Sequence, residues 1–367
     1  AEHFTVTLAD LKFLADDMFL SGVNRIFYHG ACYSPADAPW PGWVFYASTE
    51  MNPRNSIWRD VPALNDYIAR VQSILQSGKP DNDILLYWPV ADFWSDPRGL
   101  LQPMSVSATD WFKNQPIGRT AGELWNDGYT FDYVSDAQLL KAKVADGKIQ
   151  MPGGDYKVIV VPACKFMPFQ TFTNLVALEK MGATIIFQSP TSTAAGLLNS
   201  KKQTDQMVNL WRHELMLNQF ALGGGKLGDT KNAFGLAYNT NGAGRIILPE
   251  GPDSLCKFAL RFCGVTNEMM SENGLSFIRR KFDGGWNYFI ANRGTNHFDG
   301  WITLARPAKS VEILDAMTGN SGIAAQNENG QIHLQLAAGE SVILRVFANQ
   351  KVEGSAWNYF QTNGAPV

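Results

Sequence analysis

Between residues 83 and 188, short apolar runs alternate with amphipathic helical stretches, and no other feature of the chain narrows its fold so far. Ile84-Leu85-Leu86-Tyr87 offers no polar face, as a strand buried on both sides requires. A helical pattern over 120–126, the short Phe131-Asp132-Tyr133-Val134, a strand over 156–162, a helix over 168–181 and a strand over 183–188 continue the rhythm. Strand–helix–strand alternation forces parallel pairing, with helices on both faces. The middle of the chain is therefore expected to be a flavodoxin-like doubly wound sheet.

The flanks read differently. Up to about residue 78, Thr7 can cap a helix with a stripe of Leu11, Leu14, Ala15, Met18 and Phe19, and Gly22 stands where the helix should stop. Residues 23–30 predict a short buried strand. A long loop rich in Trp, Pro, Gly and Asn follows, and a second helix over 63–75 buries Leu64, Tyr67, Ile68, Val71 and Leu75. This helix–strand–helix piece is expected to pack on the middle domain. From about Leu275 onward only strands and Gly- or Asn-rich turns remain, the pattern of an antiparallel β-sandwich. The boundaries so drawn are 1–78, 79–270 and 271–367.

Composition excludes whole classes of function. Lys plus Arg at 31 against Asp plus Glu at 34 leaves a formal charge of -3, which provides no field for nucleic acid. The longest apolar runs, 157–162 and 183–187, are far shorter than the roughly 18 residues that a helical membrane span needs. No secretory leader is expected, because Ala1 opens without a basic region and an apolar core; a processed start would read the same way. Cys32, Cys164, Cys256 and Cys263 form no Cys-x-x-Cys pair and read as buried free thiols.

The densest chemical signal lies in the loop after the 23–30 segment. In parallel α/β architectures, loops at the carboxyl ends of strands carry the active site, and His29 would stand at such an end. Behind it come Tyr33, Trp40, Trp43, Phe45, Tyr46 and Trp58, with Asp37, Asn52, Arg54 and Asn55 among them. Aromatic faces stack on sugar rings, and carboxamides, guanidinium groups and carboxylates bind hydroxyls. The alternative is that these rings form a small core pinning the loop. Glu2 lies one helix earlier, just before Phe4. Glycoside cleavage needs two carboxylates, and Glu2 can supply one. The second is not evident; Asp37 and Glu50 could equally bind hydroxyls or a cation.

Other motifs are weaker. Gly223-Gly224-Gly225-Lys226 lacks the spacing of a phosphate loop and reads as a turn. Cys164 follows a strand, but Lys165-Phe166-Met167-Pro168 is not a nucleophile elbow, so inertness is expected. His213 and His333 lie on helix-like and strand-like segments and read as structural or exposed, and His297 sits in a turn with no ligand spacing around it.

Glu2-His3-Phe4-Thr5, Thr7-Leu8-Ala9-Asp10-Leu11-Lys12, Gly22-Val23-Asn24-Arg25, His29-Gly30, Pro39-Trp40-Pro41-Gly42, Asn55-Ser56-Ile57-Trp58 and the run over 67–78 occur in the order that resembles the C-terminal part of the alpha-L-rhamnosidases of glycoside hydrolase family 106. The middle segment is similar to the amidotransferase-like domain that follows the barrel in several glycosidases, and the last to the β-sandwich after it. The resemblance implies that residues 1–78 are the incomplete end of a (β/α)8 barrel, with Glu2 a catalytic carboxylate and His29, Tyr33, Trp40, Asn55 and Trp58 at the substrate. It further implies inversion at terminal alpha-L-rhamnosides, calcium in the site, a rhamnoside-containing glycan as partner, and a periplasmic or extracellular setting. One departure is Ala38, where the family often has His before Pro-Trp-Pro-Gly.

By this reading six barrel strands and a partner carboxylate lie outside the chain. The chain alone should therefore be inactive, and the uncovered helix stripe could drive oligomerisation. The competing expectation is a non-catalytic carbohydrate-binding or structural module of another, beta-galactosidase-like glycosidase.

Overall fold

The computed structural model describes residues 3–98, 101, 105, 108–212, 243–249 and 257–360, and the backbone of residues 236–239. It divides into two compact units: Ala1–Pro80 with Glu268–Val367, and Asp81–Asn267. The first and last segments of the sequence thus belong to one body.

That body begins with two helices, α1 (Leu8–Leu20) and α2 (Val61–Leu75). Thr7 closes a capping box with Asp10, whose carboxyl is held below the usual range by the Thr7 hydrogen bonds, and Gly22 follows the end of α1 at φ +92°. The buried stripe of α1 is Ala15, Phe19 and Leu20, flanked by Leu8 and Leu11, while Leu14 and Met18 are exposed. The stripe read from sequence thus divides: Leu14 and Met18 are left uncovered, as expected, whereas Leu11, Ala15 and Phe19 are packed against the core. Leu8, Leu11, Ala15 and Phe19 repeat at three or four residues and form one stripe, whereas Leu14 and Met18 turn away from it.

The middle unit contains β1 (Ile84–Tyr87), α3 (Pro116–Asn126), β2 (Phe131–Val134), β3 (Val158–Val161), α4 (Phe169–Lys180), β4 (Thr184–Phe187), α5 (Ser200–Leu210), β5 (Leu236–Asn239), β6 (Arg245–Pro249) and α6 (Lys257–Phe262). Its sheet runs β5-β6-β4-β3-β1-β2, all neighbours parallel except β5 with β6. Without the antiparallel edge, the parallel strands follow the 2-1-3-4-5 order of a flavodoxin-like sheet. Leu85, Ile159, Ile185 and Phe187 face Phe172, Leu175 and Met207 of α4 and α5; Ile84, Leu86, Val160 and Ile186 face Ile117, Leu124 and Leu260 of α3 and α6. Both faces are covered, which explains strands without a polar side. A three-stranded antiparallel sheet over Lys143–Ala145, Lys148–Met151 and Gly154–Tyr156 is an addition, and its last strand splits the single strand read over 156–162.

The chain then returns to the first body with β7 (Leu275–Phe282), β8 (Gly285–Asn292), β9 (Phe298–Ile302), β10 (Ser310–Leu314), β11 (Ser321–Ile323), β12 (Ile332–Leu336) and β13 (Ser341–Phe347). An antiparallel six-stranded sheet runs from Lys79–Pro80 through β7, β8, β13 and β10 to β11. Strand alternation sends Phe289, Ala291 and Ile343 to α1 and α2, and Tyr288, Ile290, Val342 and Leu344 to the two-stranded ribbon β9–β12. The sheet is thus covered by helices on one face and by the ribbon on the other. The helices of the opening piece pack on this sheet, where the sequence suggested packing on the middle domain.

Two buried polar networks fasten the layers. Asp16 accepts hydrogen bonds from Lys12, at 2.8 Å, and from Tyr67, while Lys12 also reaches Ser341 Oγ at 3.0 Å. Burial raises the Asp16 carboxyl against the pull of Lys12. Arg279 and Glu268, each 1% exposed, pair at 2.7 Å, and Tyr288 donates to the same carboxylate at 2.8 Å. No described helix is long and apolar enough to cross a membrane.

Candidate functional site

Residues 22–57 contain no helix or strand, so the strand predicted over 23–30 is absent. A strand requires a neighbour for its backbone groups; here side chains of α2 take that role. The Ile26 amide donates to Gln72 Oε1 at 2.6 Å, the Asn24 carbonyl accepts from Gln76 at 2.7 Å, and Tyr28 Oη donates to Asn65 at 2.7 Å. Phe27 is left 79% exposed.

The far side of the loop has a polar keel. Glu50 is fully buried at φ +60°, a left-handed conformation that costs a non-glycine residue free energy and persists only where neighbours enforce it. Its carboxylate accepts the Phe45 amide at 2.9 Å and Asn52 Nδ2 at 3.2 Å. Asn55 Nδ2 donates to the carbonyls of Thr49 (2.9 Å) and Glu50 (3.1 Å). Arg54 spans the loop to the carbonyls of Ala38 and Pro35, both at 2.8 Å. A Cβ on Gly30 would lie 2.0 Å from Phe45 Cδ1, and one on Gly42 2.4 Å from Ser34 Oγ, so both close approaches need glycine.

With its polar groups turned inward, the loop turns its rings outward. Tyr33 is 85%, Trp40 68% and Trp43 62% exposed, and Trp58, at the start of a short 3₁₀ turn before α2, is 41% exposed. His29 is exposed and meets Phe45 edge-on at 5.1 Å; Phe45 meets Tyr46 at 4.9 Å. Phe4 lies against Trp40 at 5.4 Å, and His3 Nε2 donates to the Tyr46 carbonyl at 3.1 Å. Glu2 lies outside the described residues, but the two residues after it are held on the aromatic loop.

Of the residues singled out from sequence, the structure joins His29 and Trp40 to this aromatic array through Phe45 and Phe4. Among the described residues no ring pairing links Tyr33 or Trp58 to it, and Asn55 is buried with its amide committed to the loop backbone. Sequence reading missed Glu50 and Arg54 as keel residues; the Gly30 and Pro41-Gly42 turn positions were its available signal. Among the described residues no group of three or more His, Cys, Asp or Glu side chains could hold a metal ion, and both Glu50 oxygens are already engaged.

At the carboxyl ends of the parallel strands, the usual ligand crevice of a doubly wound sheet, the described polar side chains bond to the protein itself. Asp92 accepts the amides of Lys165 (2.8 Å) and Phe166 (2.6 Å). Gln188 Oε1 accepts Thr120 Oγ1 at 2.9 Å and the Ala163 amide at 3.0 Å, and Asp136 accepts Tyr87 Oη at 2.8 Å and Thr171 Oγ1 at 2.6 Å. Cys164 lies 3.1 Å from Thr191 Oγ1, a hydroxyl rather than a base, and burial pushes its thiol up to about 12. Gly223 to Lys226, His213 and Cys256 lie outside the described residues.

Comparison with known proteins assigns the class. The fold is shared with a solved rhamnosidase from Novosphingobium sp. PP1Y at a TM-score of 0.70 and 20% identity, over 98% of this chain and 31% of that one. A GH42 exo-carrageenase from Bacteroides ovatus aligns at a TM-score of 0.52 and 14% identity, over 95% of this chain and 40% of that one. The chain thus shares its fold with part of each of these two proteins. Residues 1–325 match the model of the alpha-L-rhamnosidase family, glycoside hydrolase family 106, and the chain belongs to that family. A Formosa agariphila protein provisionally named a beta-glucuronidase is 26% identical over 95% of this chain and 26% of its own length. The chain spans between a quarter and a third of the length of these family relatives.

Proposed function

We propose that this chain supplies one wall of the active site of an enzyme that hydrolyses terminal alpha-L-rhamnosides with inversion. The observation that carries the reading is the attachment of His3 and Phe4 to the aromatic loop, which brings the chain just after Glu2 to an exposed array of rings. Glu2 orients or deprotonates the attacking water, and Trp40, with Tyr33 and Trp58, shapes the apolar side of the pocket. His29 binds a hydroxyl at its edge, whereas Asn55 acts through the loop it braces. The acid that protonates the leaving oxygen, and any calcium ligands, come from outside the described residues.

In a polypeptide of its relatives' full length, Glu2→Gln should lower kcat by about 10²–10⁴ with little change in KM, the range for loss of a general base. The 367-residue chain should not turn over aryl alpha-L-rhamnosides. Enzyme-like turnover by this chain, or an active Glu2→Gln enzyme, would overturn the assignment. The second reading, a non-catalytic carbohydrate-binding module, draws on the keel, because Glu50 and Asn55 are spent on structure; it predicts saccharide binding that Glu2→Gln leaves untouched.

A further inference from the structure

The ribbon β9–β12 turns Ile302, Ile332, Leu334 and Leu336 to the core and Asp299, Trp301, His333 and Gln335 outward. Register places Asp299 opposite Gln335 and Trp301 opposite His333. The His333 ring lies between Trp301, at 5.0 Å, and Tyr359, at 4.6 Å, so three rings form a row across the ribbon, with Trp301 44% exposed. Asp299 Oδ1 is 2.8 Å from His333 Nε2, and Oδ2 accepts Gln335 Nε2 at 3.0 Å. Gln335 is itself fixed by the Phe360 backbone, through bonds of 2.7 Å at both its oxygen and its nitrogen.

A carboxylate accepts about four hydrogen bonds, and these contacts use two at Asp299. The remainder, beside a rigid aromatic row, fits adjacent hydroxyls of a sugar whose apolar face lies on Trp301. We infer that this outward face of the ribbon is a second saccharide-binding surface, distinct from the aromatic loop, and that it takes neutral pyranosides. The hydrogen bonds from Gln335 and His333 hold the Asp299 carboxyl below its ordinary range, which keeps it an anionic acceptor and disfavours acidic sugars.

The test is a titration of the whole chain with methyl alpha-L-rhamnopyranoside, followed through tryptophan indole N–H resonances and repeated with D-glucuronate; Trp301→Phe identifies the Trp301 signal. The expected result is a saturable Trp301 shift with the rhamnoside and none with glucuronate. Asp299→Asn should leave the unliganded spectrum in place and weaken the rhamnoside by about tenfold, as for loss of a charge-assisted hydrogen bond. A silent Trp301 while the loop tryptophans respond overturns the ribbon site and leaves the loop reading standing. A Trp301 response with silent loop tryptophans supports the ribbon and counts against the loop. Silence at both, equal shifts with glucuronate, or unweakened binding by Asp299→Asn overturns the inference.

Discussion

The crevice at the carboxyl ends of the parallel sheet and the irregular loop of residues 22–57 spend their described polar groups in opposite ways. In the crevice, Asp92, Asp136 and Gln188 each satisfy two donors of the protein itself, and Cys164 is neutral and enclosed. In the loop, Glu50, Arg54 and Asn55 bond inward to the backbone so that the rings can face outward. Architecture alone favours the crevice as a ligand site. What remains for a ligand after the fold's own hydrogen bonds are counted favours the loop.

The largest test of this contrast is thiol chemistry. With its thiol pushed from 9.0 to about 12, Cys164 carries about a thousandfold less thiolate at pH 8 than an open cysteine, so iodoacetamide should label it about that much more slowly until the chain unfolds. Cys164→Ala should change no catalytic property. The sign of the pH effect follows from the same shift. The unfolded thiol ionises near 9 and the folded one near 12, so its contribution to stability is complete below pH 9 and is lost as the pH rises toward 12. Denaturant midpoints of wild type should fall over that window, and those of Cys164→Ala should fall less. Rapid native labelling of Cys164 would reopen the crevice as a reactive site.

How much of this was legible in the sequence depends on the range of the interactions. The parallel sheet was readable because each all-apolar strand announces burial on both sides. The 23–30 segment misled because Val23, Ile26, Phe27 and Tyr28 have strand-like residue types, and only α2, about forty residues later, shows that Gln72 and Gln76 take the hydrogen bonds a neighbouring strand would take. The richness of the loop in aromatic residues was visible in composition. Its keel was not, since nothing local marks Glu50 as a buried acceptor and not a site carboxylate.

A middle-sized effect separates structural from functional carboxylates. Asp92→Ala should cost about 1.5–3 kcal/mol in denaturant unfolding, as for hydrogen bonds to a charged group, and leave saccharide titrations unchanged. The reverse is expected at the exposed rings. Trp40→Ala or Trp58→Ala should keep stability within about 0.5 kcal/mol of wild type, as surface changes do, while the substitution in the complete enzyme acts mainly on KM. If Trp40→Ala destabilised the chain by several kcal/mol with unchanged KM, the rings would be a small core and the contrast would collapse.

The smallest effect is expected from removing divalent ions. Arg54 already presents a cation to the carbonyl oxygens of Pro35 and Ala38, and its five donors hold that geometry without a metal. The Glu50 carboxylate, which could have competed for calcium, has the Phe45 amide on one oxygen and Asn52 on the other. A cation there would have to shed its water and crowd the donors already seated on both oxygens inside a fully buried turn, a cost that surface carboxylates do not bear. EDTA, or calcium added afterwards, should therefore leave the Tm of the chain and its tryptophan fluorescence unchanged. A calcium-dependent rise in Tm would mean that residues beyond those described, Glu2 among them, complete a site on this face, and the loop would then be ordered by a ligand as well as by its keel.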